Sequence, residues 1–98
     1  MNGNTVRLIA SLAAMEALRH TPAGIPVIEF TLSHASQQME AGSMRQVEFD
    51  MPAKAAGEMA ARIARLSPGC KVEAQGFLNR RHRMSRQLVL HVTNIELI

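Results

Sequence analysis

The chain of 98 residues has few aromatic side chains, with three phenylalanines and neither tryptophan nor tyrosine. Aromatic side chains are what proteins most often use to stack against flat ring systems such as nucleobases. The shortage therefore excludes a function that rests on a broad aromatic surface. A ligand held by stacking would find at most a few partners here.

The sequence also lacks the features of secreted and membrane proteins. No apolar run approaches the roughly 20 residues that a membrane-spanning helix needs. The first residues, MNGNTVRLIA, do not form a basic region followed by an apolar core and a cleavage site. The single cysteine, Cys70, cannot form an internal disulfide, which suits a reducing compartment. We therefore expect a cytoplasmic protein, and the length predicts a single domain over residues 1–98.

The positive charge of the chain is concentrated in one segment. The formal net charge is +3, from eleven Lys and Arg against eight Asp and Glu. Residues 1–79 hold seven side chains of each sign, whereas residues 80–98 hold four arginines and only one acid, Glu96. All four arginines lie in NRRHRMSR, residues 79–86. Such a segment produces a local positive field, which suits an acidic partner.

Alternation of apolar and polar residues predicts five β-strands. They are residues 5–15, 27–34, 45–51, 70–80 and 87–98. The alternation places Ile28, Phe30 and Leu32 on one inward face, and Phe49 on the inward face of the next strand. The intervening residues 19–26 contain Pro and Gly, and residues 35–43 are polar and contain Gly, so both segments are predicted to be loops.

A helix is predicted over residues 52–66, where the sequence PAKAAGEMAARIARL changes period. Proline is favourable in the first turn of a helix, and Ala56, Met59, Ala60 and Ile63 form an apolar stripe. Five strands with a helix between the third and fourth are typical of an all-β OB-fold barrel. A two-sheet sandwich is the competing arrangement, for which five strands are few. Gly76 marks a bend or bulge that would help a small barrel to close.

The arginine segment falls at a loop that borders the ligand groove of an OB-fold, since the loops after the first and fourth strands do so. Arginine binds phosphate by charge and through a bidentate fork. The candidate phosphate contacts are Arg80, Arg81, Arg83 and Arg86, with Arg19 and Arg45 extending the track. Phe77 is the candidate for stacking on a base, and packing under the helix is its alternative role. The alternative for the arginine segment is a solvated hairpin tip that keeps the protein soluble.

Other chemistry finds little support in the sequence. The four histidines are far apart, and none has the spacing to Cys70 that a metal site needs. No phosphate-binding loop, dinucleotide-binding or nucleophile-elbow motif is present, so no cofactor is expected. Cys70 and His91 lie on strands that should pair, which makes a Cys–His dyad conceivable. A buried thiol beside a partly covered histidine is the simpler interpretation.

Several segments resemble the primosomal replication protein N (PriB) family. TPAGIPVIEFTLSHASQQMEAG followed by RQVEFDMP is similar to that family's Ser/Thr-Pro-x-Gly-Ile-Pro loop, its strand ending in His, its Glu-Ala-Gly turn, and its Arg-Gln and Met-Pro pairs. VEAQGFL and LVLHVTNIELI resemble its fourth and fifth strands. The resemblance covers nearly the whole chain.

The resemblance implies a non-enzymatic OB-fold homodimer that binds single-stranded DNA at stalled replication forks. It also implies contact with the restart helicase PriA, stimulation of its unwinding, and transfer to a later primosome loading factor. It assigns the family's basic loop to Arg80, Arg81, Arg83 and Arg86, and two further basic positions to Arg19 and Arg45. A homodimer also has a physical motive, because small and apolar residues occupy more than one face of the first strand.

Three positions depart from better-known members of that family. Glu48 replaces an exposed tryptophan, Ala35 replaces an arginine, and Ser43 replaces an aromatic residue. In addition, Glu48 and Asp50 lie on the outward face of the third strand, where carboxylates repel phosphate. We therefore expect weak, salt-sensitive DNA binding.

Two alternatives to a DNA-binding factor stay open at this stage. In the first, the protein is an adaptor whose arginine segment docks an acidic surface of the helicase, with little direct contact to DNA. In the second, the same fold recognises RNA. The missing aromatic residues and the outward Glu48 favour the adaptor.

Overall fold

The computed structural model describes residues 2–98, which form six β-strands and one α-helix. In chain order these are β1 (Val6–Met15), β2 (Arg19–His20), β3 (Pro26–Glu40), β4 (Ser43–Ala56), α1 (Glu58–Ala64), β5 (Lys71–Arg80) and β6 (Leu88–Leu97). The sheet order is β1-β5-β6-β4-β3-β2, and a further pairing of β1 with β3 closes the five long strands into a barrel. The predicted OB-fold barrel, with its helix between the third and fourth long strands, is confirmed.

Aliphatic side chains fill the barrel. The largest fully buried ones are Leu12, Ile28, Leu32, Ile63, Leu90, Ile95 and Val72. Phe30 is buried with them, so the inward face predicted for the second strand is correct. The short helix α1 contributes Ala60 and Ile63 to the same core. Within residues 2–98, no helix has both the length and the apolar character to span a membrane.

Gly76 lies opposite a β-bulge in β6. The register of β5 against β6 shifts between Gln75 and Gly76, where Thr93 of β6 is the extra, unpaired residue. A Cβ atom at this position would lie 1.8 Å from the backbone oxygen of His91. Only glycine therefore allows the two strands to approach this closely, and the predicted bulge is confirmed.

The segment 35–43, predicted to be a loop, is instead a hairpin that extends beyond the barrel. The pairing of β3 with β4 runs without interruption from Val27–Ala56 to Glu40–Ser43. β1 pairs with β3 only as far as Ser11–Ser33, and the earlier part of β1 lies beside only the base of the hairpin, around residues 34–38. Apart from the exposed pair Met39 and Met44, both faces of the hairpin are mainly polar, and both are largely exposed. This removes the alternation that would predict strands.

The helix begins six residues later than predicted, at Glu58. Residues 52–56 belong to β4, where Ala53 and Ala55 are buried and the residues between and beside them are not. Pro52 is tolerated because β4 pairs with β6 only from Ala53 onwards, and proline is acceptable where one edge of a strand is free. The run of alanines favours a helix by composition, but burial in the structure alternates with the period of two that is typical of a strand.

Phe49 is not a core residue, contrary to the prediction. It is 38% exposed, and its ring centroid lies 5.0 Å from that of His34 at a tilt of 36°. The two residues are paired across β3 and β4, just beyond the last pair of β1 with β3. Phe49 has the inward direction, but the barrel ends before it, so no core covers it.

Candidate nucleic-acid interface

Four strands place side chains in one line across the outer surface of the barrel. The register pairs Glu29 of β3 with Lys54 of β4, Lys54 with His91 of β6, and His91 with Phe77 of β5. Paired residues on neighbouring strands point to the same face of a sheet. With strands about 4.8 Å apart, the four side chains span about 14 Å. We call these four residues the cross-strand row.

The arginine loop, residues 80–86, lies beside this row. Arg81 Nη2 is 3.5 Å from Glu29 Oε1, so the loop reaches one end of the row. A cavity of about 320 Å³ lies between the loop and His91. The loop has internal order, since Arg81 N–H donates to the Gln87 carbonyl at 2.9 Å and an Arg80 guanidinium N–H donates to the Arg83 carbonyl at 2.9 Å.

Glu29 binds two arginines from different segments. Arg19 Nη1 in β2 donates to Glu29 Oε2 at 2.6 Å, and Arg81 approaches the other carboxylate oxygen. The hydrogen bond from Arg19 lowers the pKa of Glu29 below its usual value. Partial burial opposes this change, while the positive charges of Arg19, Arg81 and Lys54 add to it. Glu29 is therefore a carboxylate at neutral pH, surrounded by cations.

Phe77 and His91 form an aromatic stack at the other end of the row. Their ring centroids are 4.8 Å apart and the rings are within 8° of parallel. Phe77 remains 38% exposed, although it lines a cavity of about 360 Å³ together with Met59 of α1. Burial, aided by the charge of Lys54, lowers the pKa of His91, so its ring is neutral at pH 7. A flat, uncharged and partly exposed stack is able to accept a base.

The remaining arginines of the loop are exposed beyond the row. Within residues 2–98, Arg80, Arg83 and Arg86 form no ion pair with a carboxylate. The guanidinium groups of Arg83 and Arg86 are therefore open to an external anion, and Arg80 keeps donors besides the one bound to the Arg83 carbonyl. Arg19 and Arg81 are instead paired with Glu29.

Arg45 lies apart from the other candidate residues. It is near the tip of the hairpin, where its Nε is 3.1 Å from Glu40 Oε1. Lys54 is nine positions further along β4, a distance of about 30 Å along an extended strand. The exposed carboxylates of Glu48 and Asp50 lie on the outer face between these two positions. The structure thus gathers Arg19, Arg81 and Phe77 at the row and leaves Arg45 as a separate contact.

Comparison with known proteins identifies the family. The model of a family described as another single-strand binding protein family matches residues 4–94. The replication restart protein PriB of Nitrosomonas europaea is 42% identical over 98 residues, which is 100% of this chain and 91% of that protein. The corresponding PriB protein of Bordetella pertussis is 39% identical over 89 residues, covering 91% and 83% of the two chains.

This chain belongs to the PriB family. The solved structure of PriB from Ralstonia solanacearum has a TM-score of 0.88 and 41% identity, and the match covers 96% of each chain. The small single-stranded DNA-binding protein of Streptomyces coelicolor has a TM-score of 0.77 at 19% identity, with 100% and 95% coverage. The second likeness concerns the fold alone. Membership confirms the resemblance seen in the sequence.

Two members of the row are not identified by the sequence pattern. Lys54 falls within the predicted helix, because the end of β4 has the composition of a helix. His91 is predicted only as a partner for Cys70, although the pairing of the last two strands is itself expected. The alternation of β3 does place Glu29 on the outer face. The sequence therefore predicts the position of Glu29 but not its arginine partners.

The structure rules out a dyad of Cys70 and His91. His91 pairs with Phe77, whereas Cys70 precedes the opposite end of β5. The seven residues from Cys70 to Phe77 correspond to more than about 20 Å along the strand. Among residues 2–98, no three His, Cys, Asp or Glu side chains are grouped as metal ligands.

Proposed function

We propose that this PriB-family protein is a non-enzymatic accessory factor of replication restart that binds single-stranded DNA at the cross-strand row. The observation that carries the proposal is the register that puts the exposed stack of Phe77 and His91 in one line with the arginine contacts of the loop. Stacking and phosphate binding are the two interactions that single-strand binders combine. The names of its relatives, replication restart protein PriB, support the cellular role.

In this proposal the phosphates follow the arginine loop while a base stacks on Phe77. Arg83 and Arg86 offer free guanidinium groups, Arg80 offers the donors that do not bind the Arg83 carbonyl, and Arg81 links the loop to the row. Arg45, about 30 Å away, contacts only a strand that continues along the hairpin. RNA would meet the same groups, so preference for DNA is a separate question for measurement.

Binding should be weak and sensitive to salt. The row offers a single exposed aromatic stack. Stacking stabilises binding by roughly 1–3 kcal/mol for each base, so one stack contributes little. The ionised Glu29 occupies the row itself, and the exposed Glu48 and Asp50 lie on the outer face towards the hairpin. Affinity therefore depends mainly on arginine–phosphate contacts, which salt weakens.

The homodimer, the PriA helicase and a later loading factor belong to the same proposal. Ile9 of β1 is 46% exposed, and Ala13 and Ala14 on the same strand are also exposed, so burying this strand against a second copy would remove apolar surface from water. Two copies would present two arginine loops to one strand of DNA. Helicase contact and stimulation are part of the proposal because the resemblance to the PriB family implies them.

The test is fluorescence anisotropy with labelled oligo-thymidine at low and physiological salt, comparing the wild type with Arg81→Glu/Arg83→Glu. We expect the reversal to abolish binding, because it removes the phosphate contact of Arg83 and turns two positive charges of the loop into negative ones. The matched control is Arg62→Glu/Arg65→Glu, which makes the same charge change on exposed positions of α1 and its end. Equal binding by the loop variant and the wild type would refute the site. An oligo-uridine arm measures the preference between DNA and RNA.

A second candidate function is a protein adaptor in which the arginine loop docks an acidic helicase surface. The exposed Glu48 and Asp50 favour it, since they make the outer face a poor path for phosphates. Helicase unwinding assays with Arg81→Glu/Arg83→Glu distinguish the two functions. If the variant no longer binds DNA but still stimulates the helicase, the protein is an adaptor that works through other residues. If the wild type does not bind DNA and the variant loses stimulation, the arginine loop docks the helicase.

A further inference from the structure

The pair of arginines at Glu29 has an unusual arrangement for a phosphate site. Arg19 and Arg81 come from separate segments, and one carboxylate holds both, at 2.6 and 3.5 Å. The Glu29 side chain is 23% exposed, whereas those of Arg19 and Arg81 are 53% and 46% exposed. The two cations are thus accessible from solvent, while the anion between them is sheltered beneath.

A carboxylate in this position competes with phosphate. Both groups present paired oxygen atoms to the same guanidinium donors, and both gain from charge-assisted hydrogen bonds. A cavity of about 180 Å³ is lined by Arg81 and Glu29, together with Glu16, so an incoming anion can reach Arg81 from this side. A phosphate that binds there must either displace the carboxylate or share the donors with a negative charge beside it, and each alternative weakens binding.

We propose that Glu29 limits the affinity of the site by acting as an internal substitute for phosphate at Arg19 and Arg81, which rests on the function proposed above. An isolated phosphate gains too little to displace a carboxylate that two arginines hold. A strand whose neighbouring phosphates are already bound by Arg80, Arg83 and Arg86 delivers the competing phosphate at a high local concentration. Glu29 therefore selects polymers over single nucleotides.

Glu29→Gln is the direct test, because glutamine keeps the shape and one acceptor oxygen but removes the charge. In oligo-thymidine anisotropy at low salt, we expect affinity to rise about 3- to 10-fold, because charge-assisted hydrogen bonds become available to phosphate. The slope of log affinity against log salt should steepen by about 0.7 for each additional phosphate that the variant neutralises. Thymidine monophosphate should compete measurably with the oligonucleotide in this variant and not in the wild type.

Two matched controls separate competition from a simple increase in positive charge. Glu73→Gln removes the carboxylate of a different ion pair between strands, formed with Arg7 away from the row. Glu16→Gln removes a carboxylate that lines the same cavity as Glu29 and has no ion pair within residues 2–98. Both controls add the same net charge as Glu29→Gln but leave Arg19 and Arg81 paired with Glu29. Each should therefore change affinity much less. Thermal melting confirms that the variants fold, and Glu29→Asp, with a shorter reach to both arginines, should show a smaller rise in affinity.

The background variant Arg19→Gln/Arg81→Gln supplies the decisive comparison. If Glu29 acts through these arginines, Glu29→Gln raises affinity little in that background, and a full rise there would overturn the inference. If Glu29→Gln binds DNA no more tightly than the wild type, the inference alone is overturned. Weaker binding by the variant would assign Glu29 to holding the arginines in place. Absence of binding in both the wild type and Glu29→Gln would instead overturn the proposed function, and the inference with it.

Discussion

Phe49 and Phe77 show how location decides what an exposed aromatic residue can do. Each is 38% exposed, and each lies about 5 Å from a histidine ring. Phe49 lies beyond the end of the barrel on its inward-pointing face, whereas Phe77 lies on the outer face in line with the arginine contacts. Sequence alternation predicts the direction of Phe49 correctly, but direction implies burial only where another strand covers the residue.

His91 should make the stability of the protein depend on pH. Burial and Lys54 lower its pKa in the folded state, so between that value and about 6.5 the unfolded chain binds more protons. The contribution of His91 to the free energy of unfolding is therefore fully present above about pH 6.5 and declines as the pH falls through this interval. We expect thermal melting between about pH 5 and 8 to show a shallower acid decline in His91→Gln than in the wild type.

His20→Gln provides the comparison, because His20 is exposed in β2 and outside the row. It should leave the acid decline close to that of the wild type. An unchanged decline in His91→Gln would mean that other groups account for it.

At the level of elements, the strands of the barrel could be predicted and the hairpin could not. Strands that cover a core on one face show the alternation of half-buried sheets, as β3 does from Ile28 to Leu32. The segment ASQQMEAGS projects beyond the barrel and is exposed on both faces, so its sequence carries no such signal. The end of β4 could not be predicted for another reason, since Ala53 to Ala56 have strong helix propensity, which tertiary pairing overrides.

The turn of the hairpin is strained at one position. Ala41 and Gly42 connect β3 to β4 with φ of 51° and 80°, and a two-residue turn with both φ positive favours Asn-Gly. We expect Ala41→Asn to stabilise the hairpin by roughly 0.5–1 kcal/mol, because asparagine tolerates the left-handed region better than alanine. Amide hydrogen exchange along residues 35–48 should slow by about two- to fivefold, since protection follows the local opening equilibrium.

Gly42→Ala is the opposing variant for this turn. It adds a Cβ at a positive φ and should accelerate exchange along the hairpin by a similar or larger factor. Exchange in Ala41→Asn that matches or exceeds the wild-type rate would show that the turn carries no relievable strain.

For the whole molecule, the net charge of +3 says less than its placement. The arginine segment can be identified from sequence because four like charges lie close together in the chain. The row cannot, because Glu29, Lys54, Phe77 and His91 are far apart in sequence and meet only through the register of four strands. The pairing of β3, β4, β6 and β5 therefore creates the proposed site.

The most direct test of the proposed site compares Phe77→Leu with Phe49→Leu in oligo-thymidine anisotropy at low salt. Both changes remove an equally exposed ring and keep an apolar side chain. Stacking at the row predicts that Phe77→Leu weakens binding by about fivefold or more, the lower end of the roughly 1–3 kcal/mol range for one base, while Phe49→Leu binds like the wild type. Equal binding by the two variants, or a larger loss in Phe49→Leu, would contradict a site at the cross-strand row.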